Sequence, residues 1–120
     1  MPISRLAECV TETAKDLAKS SLPVPLFGHV GDGNFHLMLL VDPDKPEQTE
    51  LAKQFNQRLV ERALKMEGTC TGEHGIGMGK MDSMRMELGD DMMDLMRDIK
   101  KVFDPEGLMN PGKVVPLNET

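Results

Sequence analysis

Apolar positions recur at helical spacing in four stretches of the chain and alternate in one. Leu6, Val10, Ala14 and Leu17 predict an amphipathic helix over 3–20, with Ser4 as its cap and Lys15 and Lys19 toward its C-terminal end. Ser20-Ser21 and the Pro23/Pro25 pair stop it. Pro25 confines a first strand to 26–30 and places its beginning at an edge. A second strand is predicted over 35–41, with Phe35, Leu37, Leu39 and Val41 pointing one way and His36, Met38 and Leu40 the other. Both of its faces are apolar apart from His36, which predicts a strand covered on both sides.

Asp42-Pro43-Asp44-Lys45-Pro46 is a turn into a long helix over 46–67. Pro46 suits its first turn, and Glu47 and Glu50 suit its dipole. Leu51, Phe55, Leu59, Ala63 and Met66 form its expected buried stripe, and Gly68 is the expected C-cap. Thr69-Cys70-Thr71 is a short β-prone piece. Helices over 80–88 and 90–103 are divided at Gly89, and Met92, Met96, Ile99 and Phe103 are the expected buried stripe of the second. Asp104-Pro105 ends that helix, and Asn110-Pro111-Gly112-Lys113 is a turn before an extended Val114-Val115. The order predicts an α+β fold, a small antiparallel sheet packed with helices, read as one domain over 1–120. Two strands alone make a poor sheet, so the pattern expects further strands from another segment or a partner.

Composition narrows the function classes. The formal charge of −6 and a pI near 5.0 argue against a nucleic-acid footprint, which needs clustered Lys and Arg. No apolar run approaches the roughly 20 residues that span a bilayer, and no basic region followed by an apolar one opens the chain. Cys9 and Cys70 are unpatterned thiols, which points to a reducing compartment and a cytoplasmic location. Asn118-Glu119-Thr120 is a glycosylation sequon without meaning in the absence of secretion. Eleven methionines carry much of the apolar load in a chain with few aromatics, and the expected role is core filling.

The candidate chemistry is concentrated in two stretches. All three histidines and six of the eleven glycines lie in Gly28-His29-Val30-Gly31-Asp32-Gly33-Asn34-Phe35-His36 and Gly72-Glu73-His74-Gly75-Ile76-Gly77. A hairpin turn centred on Asp32-Gly33 sets Val30 opposite Phe35 and His29 opposite His36. Opposed Cβ atoms lie about 4.5–5.5 Å apart, near enough for two imidazoles to share a cation. Glu73 could add a carboxylate, which leaves His74 for proton transfer. Such a set suits Zn²⁺, Mn²⁺ or Fe²⁺. Spacing alone leaves both this site and a hairpin with hydrogen-bonded structural histidines open. Glu73-His74 is equally a loop facing water, although Gly72, Gly75 and Gly77 fit a backbone held close to something or at positive φ. Asp32 could itself be a ligand, although an Asp-Gly turn favours its bonding the turn backbone, and the same alternatives stand for Asn34. Gly75–Lys80 is no P-loop: His74 stands where its first Gly belongs, and Met81 where Ser or Thr would hold Mg²⁺. The third glycine of a dinucleotide fingerprint begun at Gly31 would fall on His36.

These two stretches, with Asp104-Pro105 and Asn110-Pro111-Gly112-Lys113, resemble the C-terminal, cap-side portion of FAD-linked oxidases. Within the vanillyl-alcohol-oxidase superfamily they are similar to the D-lactate dehydrogenase and glycolate oxidase flavoprotein branch, over nearly the whole chain. The resemblance implies that a D-2-hydroxy acid is oxidised to a 2-oxo acid with hydride transfer to FAD. It implies that His29, His36 and Glu73 bind a divalent metal, Zn²⁺ or Mn²⁺, that His74 is the base, that Asn110 and Gly75 lie near the flavin and that Asn34 meets the substrate. Members acting on 2-hydroxyglutarate tend to carry Asn two residues after the second His. Met38 stands there, which implies a smaller or less polar acid such as lactate or glycolate. The family's FAD-binding domain lies N-terminal to this portion, and Met1–Leu6 reads like an internal family segment that begins with Met. The chain is therefore expected to be a partial cap domain, inactive in isolation. The alternatives are a subunit that completes a separate FAD-binding chain or works with an electron-acceptor subunit, through which it could meet a membrane surface, and a non-catalytic metal-binding module.

Overall fold

The computed structural model describes residues 1–20 and 22–117. Ser21 and the 118–120 sequon lie outside them. The described elements are α1 (Ile3–Leu17), β1 (Leu26–His29), β2 (Asn34–Leu37), α2 (Pro46–Lys65), α3 (Met81–Leu88) and α4 (Asp90–Phe103), with a 3-10 turn over Val30–Asp32 between the strands. Helices with a two-stranded antiparallel sheet make this an α+β chain, as the pattern predicts. It divides into two compact units, Met1–Gly72 and Glu73–Thr120.

In the first unit, α1 starts from Pro2 with no side-chain cap, and Ser4 sits inside the helix. The buried positions of α1 are Leu6, Cys9 and Thr13, one step around from the expected Val10-Ala14-Leu17 line. The reason lies on α2. Arg62 donates to the Thr13 hydroxyl at 3.0 Å and to Asp16 at 3.1 Å, while Arg58 takes both Asp16 oxygens at 3.0 and 3.1 Å. The inward face is thus chosen by a polar tie that hydropathy does not see. These guanidiniums, with Arg58 first, hold the Asp16 carboxyl below the usual range.

α2 begins at Pro46 and buries Phe55 and Val60, while Leu51 is exposed. Its end is a Schellman motif. Gly68 N–H donates to Ala63 at 2.8 Å and Glu67 N–H to Leu64 at 3.0 Å, with Glu67 at φ 59°. Gly68 therefore comes after the left-handed position and does not occupy it. Space requires it to be glycine, since a Cβ there would lie 2.8 Å from the Ala63 oxygen and 2.9 Å from Met1 Cβ.

The hairpin register differs from the expected one. Leu26 pairs with Leu37, Phe27 with His36, Gly28 with Phe35 and His29 with Asn34. The connection is the 3-10 turn closed by Gly33 at φ 69°, which moves the centre one residue toward the N-terminus and the register by two. The Met1 ammonium donates to the Gly33 carbonyl at 2.9 Å, fastening this turn to the start of α1. β2 is shorter than 35–41, continued only by Met38 N–H to Pro25 at 3.1 Å and Leu40 N–H to Pro23 at 3.4 Å. Nor is the sheet covered on both faces: all of β1 is exposed, β2 is half-buried, and Phe27, Met38 and Leu40 are open to solvent. Thr69-Cys70-Thr71 forms no strand.

In the second unit, Gly89 at φ 79° separates α3 from α4 as predicted. Met84, Met93 and Val115 are its buried apolar side chains. Of the expected α4 stripe only Met96 is half-buried: Met92, Ile99 and Phe103 are open, Phe103 at 77%, and the buried side chain is Met93, 3% exposed. Met93 shares the inner side with Arg97, whose Nε donates to the Pro116 carbonyl at 3.0 Å, and with Lys100, which pairs with Asp104. The return segment after Phe103 therefore covers α4. Val114 is not extended, having φ 61°.

Candidate functional site

β1 and β2 present Phe27, His29, Asn34 and His36 on one face, since directly paired residues and those two further on share a side. His29 and His36 are diagonal neighbours. Their ring centroids are 5.7 Å apart at an interplanar angle of 88°, and Phe27 stands 5.5 Å from His36. The two-residue register shift keeps both imidazoles on one side. Gly28, directly between Phe27 and His29, has no room for a side chain: a Cβ would strike the Phe35 backbone and lie 2.6 Å from the Asn34 carbonyl oxygen.

Asn34 also touches the end of the unit. A Cβ on Gly72 would sit 2.6–2.9 Å from the Asn34 carboxamide, so Gly72 is packed against the side chain of the residue that pairs with His29. Glu73 is joined to it by one peptide bond, with its Cα about 3.8 Å from that of Gly72.

In the second unit, Glu73 Oε1 and His74 Nε2 are 3.7 Å apart, and the His74 side chain is largely exposed. Gly75 and Gly77 take φ of 74° and 55°, so the loop needs both glycines for its shape. A Cβ on either would meet open space, so close packing is not what selects them. Val114 N–H donates to the Gly77 carbonyl at 2.8 Å. Asn110, at φ 46°, opens the turn closed by Lys113 N–H at 3.2 Å, and Lys113 Nζ reaches the Asn110 carboxamide at 3.5 Å.

Asp104 was legible only as the end of α4, yet its carboxylate organises the turn after that helix. It accepts from Lys100 Nζ at 2.9 Å, Leu108 N–H at 2.8 Å and Met109 N–H at 3.0 Å. Lys100 first, and then those amides, hold this carboxyl below its usual range. Its partners at 108 and 109 are main-chain amides, which nearly every residue type supplies, so the sequence carries no signal of this role. Elsewhere, the groove lined by Glu12, Lys15, Asp16, Lys19, Arg58 and Arg62 is the ion-paired seam of α1 and α2, with much of its charge spent on holding helices together. Cys9 is fully buried in α1, and that burial pushes its thiol up.

Residues 1–114 match the profile described as FAD linked oxidases, C-terminal domain. The chain belongs to the FAD-linked oxidases. It is 47% identical over 120 residues to a probable mitochondrial D-lactate dehydrogenase of Danio rerio, covering all of this chain and 24% of that protein. It is 47% identical over 116 residues to the mitochondrial D-lactate dehydrogenase [cytochrome] of Arabidopsis thaliana, covering 97% of this chain and 20% of the relative. Glycolate oxidase subunit GlcD of Bacillus subtilis is 35% identical over 114 residues, 95% of this chain and 24% of that subunit. This FAD-linked oxidase domain thus spans a quarter or less of the length of these relatives. Among the described residues, no helix is long and apolar enough to cross a membrane.

Proposed function

We propose that this chain is the metal- and base-bearing part of an FAD-dependent dehydrogenase acting on a small D-2-hydroxy acid of the lactate or glycolate type. The observation that carries the reading is the His29–His36 pair on one open face, with Asn34 beside it. Two neutral imidazoles and one carboxylate are a donor set that fits Zn²⁺ or Mn²⁺ with positions left for substrate. Glu73 is the third donor. In the chain it directly follows Gly72, the glycine packed on Asn34.

A metal in this set would polarise the substrate hydroxyl and carboxylate. FAD, when bound, would supply the acceptor for the hydride of the α-carbon. The rest falls to the chain itself. Oxidation of a hydroxy acid releases a proton from the hydroxyl, and His74 takes it on an imidazole nitrogen, the usual side-chain general base. Glu73 Oε1 lies 3.7 Å from His74 Nε2, so the base stands beside the carboxylate donor. Asn34 would orient the substrate through its carboxamide, and Asn110 and Gly75 would lie near the flavin. β1 is exposed and β2 half-buried, which leaves His29 accessible to substrate. Whether the flavin-binding part belongs to the same polypeptide or to a separate subunit does not change these roles.

The test is elemental metal analysis of the 120-residue chain beside a His29→Ala/His36→Ala double variant, followed by dye reduction with D-lactate after addition of the flavin-binding region. Near-stoichiometric metal in the parent only, and turnover abolished by His74→Ala, are expected. No metal in the parent with or without that region overturns the reading. Metal together with turnover that survives His74→Ala removes the base and favours a binding module.

A further inference from the structure

The geometry points to the Asp104 carboxylate and the Val114 N–H as positioning groups that clamp the Asn110 turn at both ends and stitch it to the His74 loop. The inference rests on the proposed roles of His74 and Asn110, and deepens them by naming the groups that hold the two in register.

The first end is built around one buried carboxylate. Asp104 is 5% exposed, and its two oxygens are divided between the amides of Leu108 and Met109. Its own carbonyl accepts from Gly107 N–H at 3.0 Å. Lys100 Nζ bridges the carboxylate and the Met109 carbonyl, at 2.9 and 2.8 Å. Residues 104–109 are therefore wound on a single ion pair, and Asn110 leaves it with its backbone direction already set.

The second end is held by a residue that resists its own conformation. Val114 has φ 61°, where a β-branched side chain is a genuine outlier. Such a backbone persists only when its surroundings over-determine it. Here Val115 is buried, and Pro116 accepts from Arg97, so the chain beyond Val114 is fixed. The N–H of Val114 is thereby aimed at the Gly77 carbonyl, three residues after His74. A relaxed valine would turn that N–H elsewhere. The strain is the device that joins the two motifs, and it explains why neither loop needs a regular element to hold it.

Two variants of the full 120-residue chain test this by amide exchange and by the ring resonances of His74 in NMR. In Asp104→Asn, the Leu108 and Met109 amides should exchange at least tenfold faster, the Val114 amide should lose protection with them, and the His74 ring signals should shift. Amides of α1 and α2 should keep parental rates. In Val114→Pro, which has no N–H and cannot take positive φ, Gly77 and His74 should shift while Leu108 and Met109 stay protected. If Asp104→Asn frees only its two neighbours, or if His74 and Gly77 are unmoved by Val114→Pro, the clamp is overturned. Should Asp104→Asn unfold the whole unit, Val114→Pro alone decides. Neither readout uses metal, flavin or turnover, so a failed dehydrogenase reading and a failed clamp give different results.

Discussion

His29 and His36 meet edge to face, 5.7 Å between centroids, although neither is the other's partner across the strands. His29 pairs with Asn34, and His36 with Phe27. The side shared by the two rings therefore depends on the parity of the register and not on direct opposition. A shift of one residue would have sent one ring to the far face.

Gly28→Ala tests that register. A methyl there collides with the backbone of Phe35 and Asn34, which cannot yield as a flexible side chain would. The expected loss is about 2–3 kcal/mol, in the range of overpacked sites, together with loss of the His29–His36 proximity. Denaturant midpoints and NMR contacts between the two rings measure each.

The end of α2 gives opposite outcomes at adjacent positions. Glu67→Gly relieves a non-glycine residue at φ 59° and should stabilise by about 0.5–1 kcal/mol. Gly68→Ala should destabilise by about 1–3 kcal/mol, because its methyl meets the Ala63 oxygen and Met1. Urea titration of the two variants beside the parent checks both signs. From the sequence alone, the glycine requirement falls on φ at Gly68 and nothing marks Glu67.

Asp16 and Asp104 predict the acid response. Both carboxyls titrate lower in the folded chain than in the unfolded one, Asp16 through Arg58 and Arg62, Asp104 through Lys100 and two amides. A depressed carboxylate contributes stability above its unfolded value, near pH 4. That contribution is lost as pH falls through the lower folded value. Stability should therefore rise with pH across the acid range and flatten above about pH 5. Asp16→Asn and Asp104→Asn should each reduce the slope, read as denaturant midpoint against pH.

α4 separates buried from exposed methionine. Met93→Ala should cost about 2–5 kcal/mol through the cavity it leaves. Met92→Ala and Phe103→Ser should fall within about 0.5 kcal/mol of the parent, because those side chains are open. Thermal unfolding of the three distinguishes the observed packing from the one hydropathy suggests.

Much of the element order was legible because strong local signals set it: Pro46 opens α2, Gly89 divides α3 from α4, and Asp104-Pro105 closes α4. The side that each helix turns inward was not. In α1 it is set by Arg62 reaching for Thr13 and Asp16, and in α4 by Arg97 and Lys100 reaching for the returning chain. Polar ties of that kind join residues far apart in sequence and leave no hydrophobic period. The histidine face was legible despite a misplaced turn centre, since a two-residue error conserves parity. Val114 was not, because nothing in a Val-Val pair announces a positive φ.

The Met1 ammonium, fastened to the Gly33 carbonyl, has a practical consequence for anyone preparing the 120-residue chain by itself. Any tag fused ahead of Met1 replaces that cation by a neutral amide at the turn joining the histidine strands. A polyhistidine tag would also deliver a string of competing imidazoles to that turn, with metal that elemental analysis would then credit to His29 and His36. Affinity handles belong elsewhere, or must be cleaved before metal is measured.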